Sequence, residues 1–337
     1  MNTQTPGAQP PPASGPAPRA LTLRGIINKA GIGLALVLLI IFFSVTTEFF
    51  LTPNNITNIL TQITINLILA VGMTFVILIG GIDLSVGSVM AFSAVVAGKV
   101  ITLPGMGPTE LIILAVLAGL IAGMICGMIN GAISAYWSLP SFIITLGMLN
   151  IARGAGLQIS GAQTIYAFPF AFEEFGSILI YGVPVVFLVA LALVGVAWFV
   201  LNSTVFGRLI YGIGNNEEAV RLAGHPVFWI KVAAFTICGM TAGIAAIIYM
   251  ARLNISSPIA GIGFELNAIA AVIIGGTSLN GGRGSVIGTL LGAFIIGVLA
   301  NGLILIGLSD FMRQMITGVV IVVAVILDHY RAKYSAS

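Results

Sequence analysis

The sequence predicts an all-α integral membrane protein of about ten transmembrane helices, some short or broken, with both termini in the cytoplasm. Three observations carry that reading. Hydrophobic residues make up 58% of the 337 and charged residues only 7%, where a soluble domain carries about 25% charged residues. The mean hydropathy is +1.14. The apolar runs are long and continuous rather than alternating over segments of about ten residues, which excludes a β-barrel and leaves helices that satisfy their own backbone hydrogen bonds. The third observation is the 42 glycines, a composition suited to close helix packing and to interrupted helices.

Taken in order, residues 1–25 form a Pro-rich cytoplasmic tail of disordered composition, rich in Pro, Ala, Gly, Gln and Thr near its start. The apolar run behind it lacks a small-residue cleavage site and is expected to remain as a span. A span needs about 20 mostly apolar residues. On that rule helices are expected over 30–46, 59–79, 86–101, 111–135, 139–158, 183–201, 227–251, 266–276, 286–306 and 311–327. Those at 86–101 and 266–276 are short and flanked by glycine, as tilted, broken or partly re-entrant helices would be. A polar and aromatic stretch at 160–181 and a charged loop at 202–226 separate the spans on either side. Residues 331–337 close the chain as a short cytoplasmic tail.

Charge sets the orientation. With the N-terminus inside, Arg19, Arg24, Lys29, Arg208, Arg221, Lys231, Arg283, Arg331 and Lys333 fall on the cytoplasmic side, and Lys99, Arg153, Arg252 and Arg313 outside. That division is nine against four, the bias expected of a membrane protein. Cys126 and Cys238 lie within apolar runs as small buried hydrophobes, and His225 and His329 are far apart. No metal site, cofactor or catalytic constellation is expected, and the small net charge of +3 gives no sign of nucleic-acid binding.

GGIDLSVGS at 80–88 places Asp83 in a strongly apolar region; it is the only acid between Glu48 and Glu110. An acid in such surroundings is a functional hypothesis. The structural reading is a helix-breaking and capping element, since Asp and Ser are favoured N-caps. IGGIDLSVGSV at 79–89 is echoed by IGGTSLNGGRGSV at 274–286, with two extra residues. A duplicated helix–loop–helix element explains the echo, as does independent use of Gly-Gly to terminate helices. Ser278 stands where the first copy has Asp83, which weakens a symmetric charge role.

The loop NSTVFGRLIYGIGNNEEAVRLAGHP at 202–226 is the only substantial charged loop between spans. Asn215 or Asn216 can cap a short amphipathic helix over 217–223, with Glu217 and Glu218 in its first turn, where the helix dipole favours acids. Arg221 lies four residues after Glu217, at pairing distance, and Gly224 and Pro226 end the helix. Ala219 and Leu222 give it an apolar side. Such a helix is either an ordinary solvated loop helix or a docking element for a cytoplasmic partner.

Three motifs, GGIDLSVGS, GNNEEAVRLAG and ELNAIAAVIIGGTSLNGGRGSVIGTLLGAF at 265–294, together resemble the permease subunit of bacterial sugar-importing ABC transporters, the ribose-type permeases above all. The resemblance covers about 50–328 and makes 26–330 a transmembrane permease domain. It implies a path for a monosaccharide, ribose or a similar pentose or hexose, across the bacterial cytoplasmic (inner) membrane. The implied partners are an ABC ATP-binding subunit, usually with two fused ATPase halves, an external or periplasmic sugar-binding protein, and a second permease subunit, identical or not. ATP hydrolysis is expected on the separate subunit, and no P-loop run occurs in this chain. The resemblance assigns ATPase docking to Asn215, Glu217, Glu218, Ala219, Arg221, Leu222 and Gly224. It makes Gly80, Gly81, Asp83, Ser85, Gly87, Gly275, Gly276, Thr277 and Ser278 signature residues beside the translocation path.

Polar residues within spans are candidates for the path itself: Asn66, Thr74, Asn130, Asn150 and Asn301, with Thr64, Thr145 and Asn267. Each could equally make a helix-packing hydrogen bond. The alternative is an ion-coupled secondary transporter of a small polar solute, which needs coupling carboxylates near the midplane; Asp83 alone is thin support. A membrane-embedded enzyme would need clustered catalytic groups, and none is present in the sequence.

Overall fold

The computed structural model describes residues 23–335. Twelve helices and four two-residue strands follow in chain order among them. They are α1 (Leu23–Thr46), α2 (Pro53–Leu78), α3 (Val86–Ile101), α4 (Pro108–Tyr136), α5 (Ser141–Ser160), β1 (Ile165–Tyr166), α6 (Phe170–Ser177), β2 (Leu179–Ile180) and β3 (Val183–Pro184). Then come α7 (Val185–Ser203), α8 (Val205–Leu222), α9 (Val227–Leu253), β4 (Ile255–Ser256), α10 (Phe264–Ile274), α11 (Val286–Leu305) and α12 (Asp310–Ser335). Six of these, α2, α4, α5, α7, α9 and α11, are long and apolar enough to cross a membrane, and α3, α10 and Gly31–Thr46 are shorter apolar helices. The structure is thus that of a mostly helical, multi-pass membrane protein. Most of the Pro-rich tail lies outside the described residues, and α12 continues past its expected end at residue 327.

Several boundaries follow from local chemistry. Thr52 caps α2 through its hydroxyl, with Pro53 in the first turn. Gly161, at φ +65°, ends α5 in the left-handed conformation. One helix was not expected, and another is longer than expected. The eight-residue α6 lies in the polar and aromatic stretch. The charged loop is helical from Val205 on, capped by the Thr204 hydroxyl, not only over the expected 217–223.

Helices α2 and α9 form the centre. Their largest buried side chains include Met73, Phe75 and Phe235. The tightest seam joins α4 to α9. Gly119, Gly123, Gly127 and Gly131 recur every fourth residue on α4, and a Cβ on Gly123 would overlap the Gly239 carbonyl of α9. A Cβ on Gly239 would in turn overlap the Gly123 carbonyl. Where hydrocarbon tails surround the helices, such close backbone approach supplies the packing that holds a pair together.

The connections gather at two ends. At one lie α8 and the α2–α3, α4–α5 and α10–α11 connections. At the other, β1 pairs antiparallel with β4, the Asn254 amide donates to Glu173 of α6, and the Thr57 hydroxyl of α2 donates to the Gly182 carbonyl. From this second end the chain after β4 folds back into the bundle. Ser256 packs against Gly98, and the Gly261 carbonyl lies against Gly87. Those two glycines are eleven residues apart on α3, so the segment descends about 16 Å at 1.5 Å per residue. Its carbonyls would be unpaired there. Arg153 of α5 supplies the partner, donating from one guanidinium nitrogen to the carbonyls of Pro258 and Ala260, both at 2.8 Å. Helix α10 therefore begins inside the bundle, with the Glu265 carboxylate accepting from the Gly263 amide at its N-terminus.

Candidate coupling site and the paired glycine loops

The sequence echo corresponds to two helix endings of one geometry, offset by one residue from the sequence match. At the end of α2 the Gly80 amide donates to the Ile77 carbonyl and the Gly81 amide to Val76; at the end of α10 the Gly276 amide donates to Ile273 and Thr277 to Val272. The residue in the left-handed region is Gly80 (φ +78°) in the first and Gly276 (φ +85°) in the second, where glycine carries no steric penalty. Gly81 therefore corresponds to Thr277, and Ser278 is not the structural counterpart of Asp83. The second loop is also longer than the expected two extra residues imply, because α3 starts at Val86 and α11 at Val286.

In the first loop Asp83 is 2% exposed. Its carboxylate accepts from the Ser85 amide at 2.8 Å and the Ser85 hydroxyl at 2.6 Å, a turn that aims the chain into α3. The Asn130 amide of α4 donates to the Ser85 oxygen. Ser85 and Ser88 are residues that could cap a helix, but neither caps α3 through its side chain: Ser85 makes no cap bond, and the Ser88 hydroxyl donates to the Ser85 carbonyl. The backbone amides of Ile82 and Leu84 donate to the hydroxyls of Ser141 and Thr145 at the start of α5. Gly87, one residue into α3, is where the descending segment touches; a Cβ there would overlap the Gly261 carbonyl and the Glu265 side chain. The second loop turns tightly on itself, with Gly281 and Ser278 amides donating to the Ser278 and Arg283 carbonyls. The Ser285 hydroxyl then caps α11.

The two loops meet each other and α8. The Gly282 amide donates to the Leu78 carbonyl at 2.9 Å. Gly214 of α8 fills the angle between them, so closely that a Cβ on it would overlap the Leu78 oxygen and the Gly282 nitrogen. The Tyr211 hydroxyl donates to the Gly284 carbonyl at 3.1 Å and the Asn215 amide to the Gly282 carbonyl at 3.3 Å. Burial pushes the Tyr211 phenol up from its ordinary pKa.

Just beyond this junction α8 breaks. Asn216 has φ −161° and ψ 95°, and its side-chain oxygen accepts from the Ala219 amide at 2.9 Å. Of the two expected caps, Asn216 caps the tip while Asn215 holds the loop. The tip runs to Leu222. Gly224, at φ +81°, closes it, its amide donating to the Arg221 carbonyl. Glu217 pairs with Arg221 and with Lys231 of α9, each at 3.0 Å, and Glu218 pairs with Arg221 at 3.2 Å. Ala219 is exposed and Leu222 is 80% exposed. Behind the tip lies a cavity of about 300 Å³ lined by Gly80, Gly81, Ser138, Ser141, Glu217 and Lys231.

The candidate path residues do not converge. Thr74 is buried and bonds Thr289 across α2 and α11. Asn301 and Asn55 exchange amide bonds at 2.9 and 3.0 Å, and Asn130 holds Ser85. Asn150 sits on the exposed face of α5, bonded to the Leu146 carbonyl of its own helix. Asn66 is half-buried, and its side-chain oxygen has no partner among the described residues. Sequence reasoning overlooked Lys231, Tyr211, Gly214 and Gly282. The spacing of Tyr211 and Asn215, one turn apart, was the available signal for a helix face directed at a partner loop.

Residues 55–325 match the family model described as the branched-chain amino acid transport system / permease component. This chain belongs to that family of transport permeases. It is 42% identical over 315 residues to the ribose import permease protein RbsC of Bacillus subtilis, covering 91% of this chain and 95% of that protein. It is 38% identical to the D-allose transport system permease protein AlsC of Escherichia coli, covering 88% and 90%. It is 33% identical to the L-arabinose ABC transporter permease protein AraH of Azospirillum brasilense, covering 98% and 96%. No solved structure matches.

Proposed function

We propose that this chain is the permease subunit of an ABC-type sugar importer of the bacterial inner membrane, forming with a second permease subunit the path for a monosaccharide. In this reading ten spans cross the bilayer. The α8 end and both termini face the cytoplasm, in keeping with the nine-to-four division of basic residues. An external binding protein delivers the sugar, and a separate subunit with two fused ATPase halves drives transport. The observation that carries the sugar assignment is near-full-length similarity to permeases named for ribose, D-allose and L-arabinose. Membership of a permease family removes the support for the ion-coupled alternative.

The tip of α8 fits the docking role. It offers an exposed Leu222 and the Glu218–Arg221 pair to a partner, and its root is bonded to the second glycine loop, which is itself bonded to the α2 end through Gly282 and Leu78. A push on the tip thus reaches the ends of α2 and α10 through Asn215, and the start of α9 through Glu217 and Lys231. The glycine loops serve as the hinge that receives it, with Asp83 a structural anchor.

The test is reconstitution in proteoliposomes with the co-encoded ATPase and binding protein. ATP-dependent uptake of ribose, allose or arabinose is expected, and Glu218→Lys with Arg221→Glu should uncouple hydrolysis from uptake without preventing membrane insertion. Uptake driven by an ion gradient without ATP would overturn the proposal, and so would ATP-driven uptake of leucine with no sugar.

A further inference from the structure

Asn54, Asn58, Gln62 and Asn66 recur every fourth residue along α2, so they share one helix face. All four are carboxamides. Asn54 and Asn58 are exposed, and Gln62 and Asn66 are half-buried. The other polar side chains of α2 find partners in the protein: Asn55 on Asn301, Thr57 on Gly182, Thr61 and Thr64 on their own helix, and Thr74 on Thr289. None of the four carboxamides bonds a described residue, and the Asn66 oxygen is buried without a partner. The row covers about 18 Å at 1.5 Å per residue, more than half of a hydrocarbon core about 30 Å thick. It starts at the end opposite α8, where Thr57 meets Gly182. It stops where α2 is sealed, since residues 67–78 are all buried.

Amides turned toward hydrocarbon without partners are costly, so this face looks onto something polar. Each carboxamide has two donors and an acceptor, a match for hydroxyl groups. No charged residue belongs to the row, which argues against an ion as the occupant. A succession of weak neutral contacts lets a solute enter and also leave.

We propose that Asn54, Asn58, Gln62 and Asn66 form a carboxamide ladder that carries an uncharged polyhydroxylated solute along the outer half of the path, with Asn66 as the last rung before the closed part of the bundle. The identity of the solute rests on the sugar-importer reading; the ladder itself rests on the geometry.

Two measurements on the complete importer test this. In a background lacking Cys126 and Cys238, Asn58→Cys and Gln62→Cys should react with a membrane-impermeant thiol reagent added from outside, and Ile63→Cys, on the buried face, should not. Gln62→Leu and Asn66→Leu should lower ribose uptake about tenfold or more while ATPase stimulation by loaded binding protein persists, and Gln62→Asn should restore uptake. Cysteines unreactive to the impermeant reagent but cross-linking two copies of the chain would overturn the ladder in favour of a helix seam. Leucine variants with wild-type uptake would overturn it too. Failure of the unmodified importer to take up any sugar would overturn the sugar-importer reading and the ligand named here, while cysteine reactivity decides the ladder on its own.

Discussion

Glu217 divides its carboxylate between Arg221, one turn on in its own helix, and Lys231, at the start of α9; both distances are 3.0 Å. The first bond is local and holds the tip as a helix. The second crosses to a central helix and gives the tip a mechanical connection to the bundle.

Lys231→Ala should therefore separate stability from coupling. The pair is only partly exposed, but Glu217 keeps Arg221 as a partner when Lys231 is removed, so the loss should be about 1 kcal/mol and the thermal midpoint of the detergent-solubilised protein should move little. Sugar transported per ATP should fall, by about tenfold, and Lys231→Arg should restore most of it. An unchanged transport ratio in the alanine variant would show that α9 is not driven through this pair.

Gly214→Ala should be far more damaging than its size suggests. The added methyl would overlap the Leu78 oxygen and the Gly282 nitrogen, the two atoms that join the α2 ending to the second loop. Either that bond opens or α8 moves away, at a cost of about 1–3 kcal/mol for overpacking. Reduced thermal stability together with lost uptake is expected. Gly224→Ala, beyond the tip, meets no neighbouring atom and disturbs only its own left-handed backbone, so it should cost about 1–2 kcal/mol and leave uptake by the folded protein intact.

Asp83 acts through one oxygen, which accepts two bonds from Ser85. Asp83→Asn keeps an oxygen in place and should leave membrane levels and the melting midpoint near wild type. Asp83→Leu removes the acceptor and leaves the Ser85 amide buried and unpaired, at about 1–3 kcal/mol. Loss of uptake in a fully stable Asp83→Asn protein would mean instead that the negative charge acts on the solute or its path.

The apolar helices were legible because lipid-facing and buried residues are both apolar and hydropathy alone marks them; α3, at Val86–Ile101, has the bounds its sequence predicts. Segments whose stability comes from tertiary contact were not legible. The first part of α8 contains Gly207, Gly212 and Gly214, poor helix formers, and is held by burial of Ile210 and Ile213. Helix α6 is only eight residues long and gains its support from α9, where Gly176 packs on Ala251. The offset between the two glycine endings was hidden because either glycine of a pair can take the left-handed position, and hydrogen bonding decides which. Arg153 counts to the outer side of its expected helix, with no partner assigned, since nothing in the sequence tells that Pro258 and Ala260 fold back to meet it. The tip of α8 was the most readable part of the candidate site, because its cap, acidic first turn and closing glycine are all local signals.

The glycine seam between α4 and α9 has a consequence for where the molecule can part. With the Gly123 and Gly239 backbones in mutual contact, the two helices cannot slide or separate without opening a void that no side chain is there to fill. They travel as one plank. A solute must then pass beside that plank, and any tug delivered to the foot of α9 is felt equally along α4.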